Sequence, residues 1–509
     1  MRGTSRRVSN RKLWLTSAGG AIAALALAMA VPAVSQETSG TDEVFQLTTV
    51  YGVNNTGIGN PPIGTPPHAN TTFFSFDISW VDDVLHKYYL ADRSNKPIDI
   101  LDLSTLPPTL TQVPNTKFQG FTGNNDTSGP DGLATVNNHT EVWVGDTGGT
   151  CPSSGTSPSC GPGQVWVLNT DASVKTLPGG KANPIPVGGH TRADEFCYDP
   201  KDNLVMIASP AEGDGVVTFP YVTFINTKTY KVVGKLTFDG GTAAKGIKAT
   251  NGIEQCQYDA ASGKFLQNIP ENNGAPGADT SPGGIAVIDP TTRKVTEFFE
   301  IPLDACAGPQ GMTIGPNNQV LEGCNAASPN GHRNAVIVNA KTGKVGPVFA
   351  DLGGADEVWF NPGDGHYIVP SCNTPCRTVP VPFALTGPEV LGLIDSNKLQ
   401  LDQTVFVADQ NSDTTVTTGN PRTTHSVAGD AANKQIILPI PAVGGTAPQF
   451  SPSLCDKTGF GISVSPPTGT TGAPSTVVGC IVLLSAPLNN DVLAKGKVAR
   501  ERGKSDSQE

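Results

Sequence analysis

The chain has 509 residues, of which only 16% are charged, and its formal net charge is −11. This acidic balance argues against a nucleic-acid partner, since proteins that bind the phosphate backbone concentrate Lys and Arg on one face. With 58 Gly and 43 Pro, and without a sustained helical periodicity, the composition favours many short strands joined by turns.

The first 35 residues have the pattern of an export signal. Basic residues precede an apolar run over 18–31, and the small residues Ala33 and Ser35 stand before an expected cut at Gln36. The apolar run is short and Ala-rich for a membrane span, so we expect no membrane association after removal of the signal, with an uncleaved anchor as the alternative. The sequence therefore predicts a secreted or periplasmic protein, with a linker over 36–43.

A short polar motif recurs seven times, each time just ahead of an apolar strand. The copies FDISW, PDGLATV, ADEFCYD, IEQCQYD, PQGMTIG, ADEVWFN and THSVAGD follow one another at intervals of 54, 63, 60, 56, 46 and 69 residues. Seven supersecondary units of this length predict an all-β fold, a seven-bladed β-propeller over 44–487. Alignment of the copies gives one equivalent position to seven residues: Asp77, Asp131, Asp194, Glu254, Gln310, Asp356 and His425.

A second element repeats with the same count. Apolar third strands recur as IDILDL, QVWVLNT, YVTFIN, GIAVID, NAVIVN, EVLGLID and CIVLLS. The last unit lacks an outer strand, whereas VFQLTTVYGV over 44–53 has no unit of its own. We expect this N-terminal strand to complete the last blade and close the ring, since closure removes an exposed sheet edge. The charged segment over 488–509 is predicted to be a disordered tail.

The inner strands of a propeller line its channel, so the seven equivalent residues are expected to form a ring at one channel mouth. Carboxylates crowded there repel one another unless a cation neutralises them. A divalent cation, with Ca²⁺ as the expected ion, takes oxygen ligands of this kind. The candidate metal ligands are Asp77, Asp131, Asp194, Glu254 and Asp356, and Gln310 is a neutral oxygen donor for a ligand. The alternative is that these residues only terminate the inner strands and bind channel water.

Other side chains are candidates for the same mouth. His425 is the only imidazole in the ring, so it is the candidate catalytic residue, as a general base, or a further metal ligand. His190, Arg192, His332 and Arg333 lie in loops of the same face and are candidate ligand-binding residues, with solvated loop positions as the alternative. By strand alternation, the residues that follow Asp194 and Asp356, Glu195 and Glu357, are expected to point away from the channel.

All ten cysteines follow the signal, and an even number in an exported chain predicts disulfides. The expected pairs are Cys151 with Cys160, Cys197 with Cys256, Cys306 with Cys324, Cys372 with Cys376, and Cys455 with Cys480. A thiolate metal site is the alternative. Long loops emerge on the face that carries the ring, so we expect a monomer that binds a small molecule or a protein on this loop-rich face.

The phrases GPDGLATVNNHTEVWVGD and GGIAVIDPTTRKV resemble those of YVTN/quinoprotein-like and streptogramin-lyase-like propellers, with more distant similarity to the gluconolactonase/regucalcin superfamily. This resemblance implies a divalent cation at the channel mouth, held by acidic and amide residues from several inner strands. Asp77, Asp194, Glu254 and Asp356 would occupy those places. The chain differs from that superfamily in having seven units rather than six and in lacking its Glu-Gly-Pro phrase.

Two functions follow as hypotheses. The first is a secreted propeller that binds a divalent cation and a small-molecule or protein ligand at the acidic mouth. The second is a metal-dependent enzyme of the lactonase, esterase or lyase type, in which the cation polarises a carbonyl and His425 or a ring carboxylate moves the proton.

Overall fold

The computed structural model describes residues 45–53, 73, 75–148, 161–211, 214, 217–371, 390–407, 424–441, 455 and 479–486. By its internal contacts the chain divides into Met1–Asp42 and Glu43–Glu509, and every described residue belongs to the second unit. The predicted signal (1–35), linker (36–43) and tail (488–509) lie outside the described residues.

Seven four-stranded antiparallel sheets form the blades of a β-propeller, as the repeats predict. Blades 1 to 7 are numbered in the chain order of their inner strands. In blade 1, β2 to β5 span Ser79–Asp82, Lys87–Ala91, Pro97–Asp102 and Thr109–Pro114. In blade 2, β6 to β9 span Leu133–Val136, Glu141–Asp146, Gly163–Leu168 and Ile185–Gly188. In blade 3, β10 to β13 span Phe196–Asp199, Leu204–Ser209, Tyr221–Asn226 and Lys231–Thr237.

The remaining blades have the same order from the channel outwards. In blade 4, β14 to β17 span Cys256–Asp259, Lys264–Ile269, Gly284–Asp289 and Lys294–Glu300. In blade 5, β18 to β21 span Ala307–Ile314, Gln319–Ala326, Asn334–Asn339 and Val345–Ala350. In blade 6, β22 to β25 span Trp359–Asn361, His366–Ser371, Val390–Asp395 and Gln400–Phe406. In blade 7, β26 to β28 span Ala428–Asp430, Gln435–Ile440 and Cys480–Ser485.

The N-terminal strand closes the ring. β1 (Gln46–Gly52) pairs antiparallel with β28 and gives blade 7 the order β1-β28-β27-β26. The predicted closure is therefore confirmed. It covers the outer edge of β28 and joins the two ends of the propeller through backbone hydrogen bonds.

The hydrophobic core lies between blades. The middle strands are buried on both faces, as in β11, where every residue is buried, whereas the outer strand β13 is mostly exposed. Between blades 3 and 4, for example, Met206, Phe224 and Phe265 belong to one apolar cluster. The alternation of apolar residues is consequently weak in the middle strands, because both of their faces pack against a neighbouring blade.

Three of the predicted disulfides are confirmed: Cys197–Cys256, Cys306–Cys324 and Cys455–Cys480. The pairs of Cys151 with Cys160 and of Cys372 with Cys376 lie outside the described residues. No described cysteine is free. Disulfides of this number are typical of proteins in an oxidising compartment. In the part of the chain that the structure describes, no helix has the length and apolarity to traverse a bilayer.

Candidate functional site

We call the seven equivalent residues of the repeat the ring: six of them lie two or three residues ahead of an inner strand, and Gln310 lies inside the inner strand β18. Backbone hydrogen bonds link consecutive blades at this level: the Gln255 amide donates to the Gln310 carbonyl, and the Asp356 amide donates to the His425 carbonyl. Gly132, directly after Asp131, allows a close approach, because a Cβ there would lie 1.9 Å from the carbonyl oxygen of Asp194. The ring is therefore held by the backbone as well as by its side chains.

A buried arginine joins the ring carboxylates of blades 1 and 2. Arg93 Nη2 lies 2.9 Å from Asp77 Oδ2 and 2.5 Å from Asp131 Oδ1, and Arg93 Nε donates to the same Asp131 oxygen at 3.0 Å. The Arg93 and Asp131 side chains are 2% and 0% exposed. The cationic partner of these two carboxylates is thus a side chain of the protein itself.

The turn after β3 holds Arg93 in place. The Asp92 carboxylate accepts hydrogen bonds from the amides of Ser94 and Asn95 and from the Asn95 side chain, at 2.7, 3.1 and 2.7 Å. An aspartate that binds the backbone two and three residues ahead is a common turn former. The sequence DRSN therefore folds into a turn that carries Arg93 to the channel mouth.

A second arginine, Arg192, is the cationic partner of the ring carboxylate of blade 3. Arg192 Nε donates to Asp194 Oδ2 at 2.7 Å, and Arg192 Nη1 lies 3.6 Å from Asp126 Oδ1. Asp126 belongs to a short 3-10 turn, Asn125–Thr127, between blades 1 and 2. The Arg192 amide also donates to the Asp126 carbonyl at 2.9 Å, so the two segments are fixed to each other.

Burial and the arginines shift the pKa values of these carboxylates in opposite directions. Burial raises the pKa of Asp131 well above its usual range although Arg93 lowers it, and burial raises the pKa of Asp194 to about 6 against the effect of Arg192. The pKa of Asp126 is also raised by burial. Asp126, Asp131 and Asp194 therefore retain protons to higher pH than exposed carboxylates do.

A cavity of about 740 Å³ opens at this mouth. Three ring residues line it, Glu254, Gln310 and Asp356, together with Arg192 and Asp126. The rest of its wall is made of small, polar or turn-forming residues: Gly123, Asn124, Asn125, Asn251, Pro270, Asp279, Gly308 and Asn325. Five blades or their connections contribute, so the wall is set by the rigid scaffold. The cavity is hydrophilic and suits a ligand that forms hydrogen bonds.

A metal centre built from the ring carboxylates would need several of them directed at one point. Among the described residues, no group of three or more His, Cys, Asp or Glu side chains is placed to hold a metal ion. Asp77, Asp131 and Asp194 are directed at Arg93 and Arg192 instead. The arrangement does not fit a five-carboxylate calcium site, and calcium binding stays a prediction.

Two further carboxylates lie below the ring, inside the channel. Glu357 Oε2 accepts from the amide and hydroxyl of Ser79, at 3.1 and 3.0 Å, and from the hydroxyl of Ser426. These partners are in blades 1 and 7, so the side chain of Glu357 extends inwards from blade 6. Glu195 is 5% exposed and interacts electrostatically with Glu357 and Glu254. The expectation that both point away from the channel is wrong, because β10 and β22 begin only at Phe196 and Trp359 and strand alternation does not apply before them.

Burial raises the pKa of Glu357 to about 8 and that of Glu195 well above its usual range. Because folded Glu357 holds its proton to higher pH than the unfolded chain does, its contribution to stability is lost as pH rises from about 4.5 towards 8. Glu357→Gln keeps an oxygen for Ser79 and Ser426 but does not titrate. We expect its free energy of unfolding, relative to that of the wild type, to increase by at least about 1 kcal/mol from about pH 5 to about pH 8.5. Urea denaturation at both pH values measures this.

The matched control is Glu300→Gln, at an exposed carboxylate on the outer strand β17. Its stability should follow that of the wild type at both pH values. Identical pH dependence in Glu357→Gln and the wild type would contradict the assignment of a raised pKa to Glu357.

The three histidines predicted as site residues each contact a neighbouring side chain. His425 is partly exposed, its ring stacks on Phe76 with centroids 4.5 Å apart, and it interacts electrostatically with Asp356. The amide of His190 donates to the carboxylate of Asp214 in the next loop. His332 Nδ1 lies 2.8 Å from Asp351 Oδ1, outside the cavity wall.

Arg333 is half-buried beside Asp279, whose carboxylate belongs to the cavity wall. Burial lowers the pKa of Arg333, and Asp279 acts against this. Of the predicted ligand-binding residues, Gln310 and Arg192 thus line the cavity itself, whereas His190, His332 and Arg333 are not part of its described wall.

Sequence reasoning did not find Arg93, Asp126, Asn251, Asp279 or Asn325. Arg93 lies in the turn between β3 and β4 of blade 1, and Asp126 lies between blades 1 and 2, so the alignment of inner strands gives no equivalent position for either. A signal was present for Arg93, since DRSN follows an apolar strand and an arginine is rare in an otherwise buried turn. Asn251, Asp279 and Asn325 lie in polar loop or strand-end contexts that resemble any solvated loop.

No protein-family model matches the chain, and no curated protein matches it significantly in sequence. Solved structures are similar in fold. The WD40 repeats of RRP9 match with a TM-score of 0.47 at 8% identity, covering 87% of this chain and 100% of that one. The Pan2 WD40 domain of Neurospora crassa matches with a TM-score of 0.47 at 8% identity, covering 88% and 98%.

Hydrazine synthase of Kuenenia stuttgartiensis matches with a TM-score of 0.46 at 12% identity, covering 74% of this chain and 95% of that one. Likenesses at this level carry no functional assignment.

Proposed function

We propose that the protein is an exported binding propeller that takes a small hydrophilic molecule into the cavity at its channel mouth. The observation that carries this proposal is the cavity itself. Its volume of about 740 Å³ falls within the range of about 300–1,000 Å³ common for small-molecule sites. Its wall combines Arg192 with Glu254, Gln310 and Asp356 from three further blades. The three disulfides support export to an oxidising compartment.

A screen of hydrophilic solutes of neutral, cationic and anionic character tests the proposal. We expect at least one class to produce ligand-detected NMR signals with the full chain. Asn325→Phe, which places a bulky ring in the cavity wall, should weaken that binding about tenfold or more, since it removes ligand volume. The control is Asn397→Phe, at an exposed turn position between β24 and β25, which should bind as the wild type does. Equal binding by both variants would place the ligand elsewhere.

A divalent cation at the same mouth is a second, separable proposal, as the distant resemblance to the gluconolactonase/regucalcin superfamily implies. Glu254, Gln310 and Asp356 are the ring residues that would hold it, because the carboxylates of blades 1 to 3 are directed at arginines. Metal analysis of purified protein should find near-stoichiometric Ca²⁺ that chelation removes, with a lower melting temperature afterwards. An unchanged melting temperature would contradict it.

Binding of a protein on the loop-rich face and lactonase, esterase or lyase activity through His425 remain predictions. The small-molecule proposal is preferred because a recessed, hydrophilic cavity suits a small ligand better than a protein surface.

A further inference from the structure

Charge is unevenly distributed in the cavity wall. On the side of blades 2 and 3, Asp126 faces Arg192, which also binds Asp194. On the side of blades 4 to 6 the described wall contains the carboxylates of Glu254, Asp279 and Asp356 without a lysine or arginine. Among the described residues, the wall carries four carboxylates and one guanidinium. An anionic ligand would meet like charge over most of this surface.

Among the side chains of the described cavity wall on the side of blades 4 to 6, oxygen atoms outnumber N–H groups, although behind Asp279 the buried Nε and Nη1 of Arg333 have no acceptor among the described residues. The side-chain oxygen of Gln310 is buried and accepts no hydrogen bond from the described residues. The Asn251 side chain, a possible donor, gives its hydrogen to Asp279 Oδ1 at 2.7 Å. A buried acceptor without a donor costs free energy, so this wall favours a ligand that brings N–H or O–H groups.

We propose that the ligand is a small organic cation whose protonated amine binds between Glu254, Gln310 and Asp356. This inference rests on the proposed binding function and names its ligand class. An ammonium group supplies three donors and one positive charge, which match two carboxylates and one unpartnered amide oxygen. Hydroxyl groups elsewhere on the ligand face Asp126 and Arg192, which offer both an acceptor and donors.

Matched probes separate the amine from the rest of the ligand. D-glucosamine and D-glucose differ in one amino group, and 1,4-diaminobutane and 1,4-butanediol in two. Calorimetric or NMR titration of the chelator-treated full chain should give at least about tenfold tighter binding of each amine than of its hydroxyl partner. Glu254→Gln and Asp356→Asn should each remove most of that preference, while Glu254→Asp should retain more of it than Glu254→Gln. Thermal melts establish that each variant is folded.

Glu300→Gln, outside the cavity, should keep the full preference for the amine. Equal affinity for amine and hydroxyl partners would overturn the inference and leave the proposed function standing. Tighter binding of anionic solutes would do the same. A preference for the amine that is also lost in Glu300→Gln would reflect surface charge and overturn the inference. Absence of binding across all three solute classes would overturn both proposals.

Discussion

Arg93→Met is expected to destabilise the propeller by about 3–5 kcal/mol at neutral pH, the range found when one partner of a buried ion pair is removed. Arg93 is 2% exposed and neutralises Asp77 and Asp131, whose side chains are 9% and 0% exposed. Methionine fills similar space but leaves both carboxylates buried without their cation. The loss should appear as a lower midpoint of guanidinium unfolding.

The dependence on pH identifies the cause. Without Arg93, the pKa of Asp131 should rise above its already raised value, because burial would act unopposed. The folded variant then binds more protons than the unfolded chain, so its stability falls as pH rises. The deficit relative to the wild type should therefore be smaller at about pH 5 than at about pH 8.

Two further variants complete this test. Arg93→Met combined with Asp131→Asn should recover part of the loss, since it removes one uncompensated charge. Lys201→Met, at an exposed turn between β10 and β11, is the matched control and should be near neutral. A deficit independent of pH and unrelieved by Asp131→Asn would mean that Arg93 acts by packing alone.

The repeat predicts the ring because blades are built from equivalent units, so a position found in one unit has counterparts in the other six. The same reasoning identifies the closing strand, since VFQLTTVYGV has no unit of its own and CIVLLS has no outer strand after it in its own unit. It also identifies Cys197 with Cys256, because the beginnings of neighbouring inner strands lie close together. Features that depend on repetition could therefore be predicted.

The counter-charges of the ring do not repeat. Arg93 enters from a connection in blade 1 and Arg192 from the segment before blade 3, and each is shared by two aspartates from different segments. Such pairings depend on how connections fold over the mouth, which periodicity does not encode. The sequence thus predicts the crowded carboxylates. It does not predict that arginine side chains, and not a metal ion, face three of them.

Glu195 and Glu357 illustrate a second limit. Strand alternation assigns faces only where the backbone is regular, and both residues precede the first paired residue of their inner strands. Their inward direction adds carboxyl groups below the ring, and their raised pKa values, caused first by burial, keep that region closer to neutrality at pH 7. The channel thus limits its own charge by arginines at the mouth and by protonation below it.

Removal of the Cys197–Cys256 bridge by alanine at both positions is expected to cost more stability than removal of Cys306–Cys324. The first bridge joins cysteines 59 residues apart and links the inner strands of blades 3 and 4, whereas the second joins cysteines 18 residues apart within blade 5. From the entropy of the unfolded chain, the expected losses are about 4 and about 3 kcal/mol. Both pairs are buried in apolar clusters, so the space left by the lost sulfur atoms is comparable.

Guanidinium unfolding of both double-alanine variants under non-reducing conditions measures the difference. The Cys197–Cys256 variant should also exchange amide hydrogens faster in β10 and β14, because the covalent link between two neighbouring blades is gone while their backbone pairing within each blade remains. In the Cys306–Cys324 variant the faster exchange should be confined to blade 5. Equal losses, or a larger loss on removing Cys306–Cys324, would mean that local packing outweighs the closure of the longer segment and that the link between blades 3 and 4 contributes little to holding the ring together.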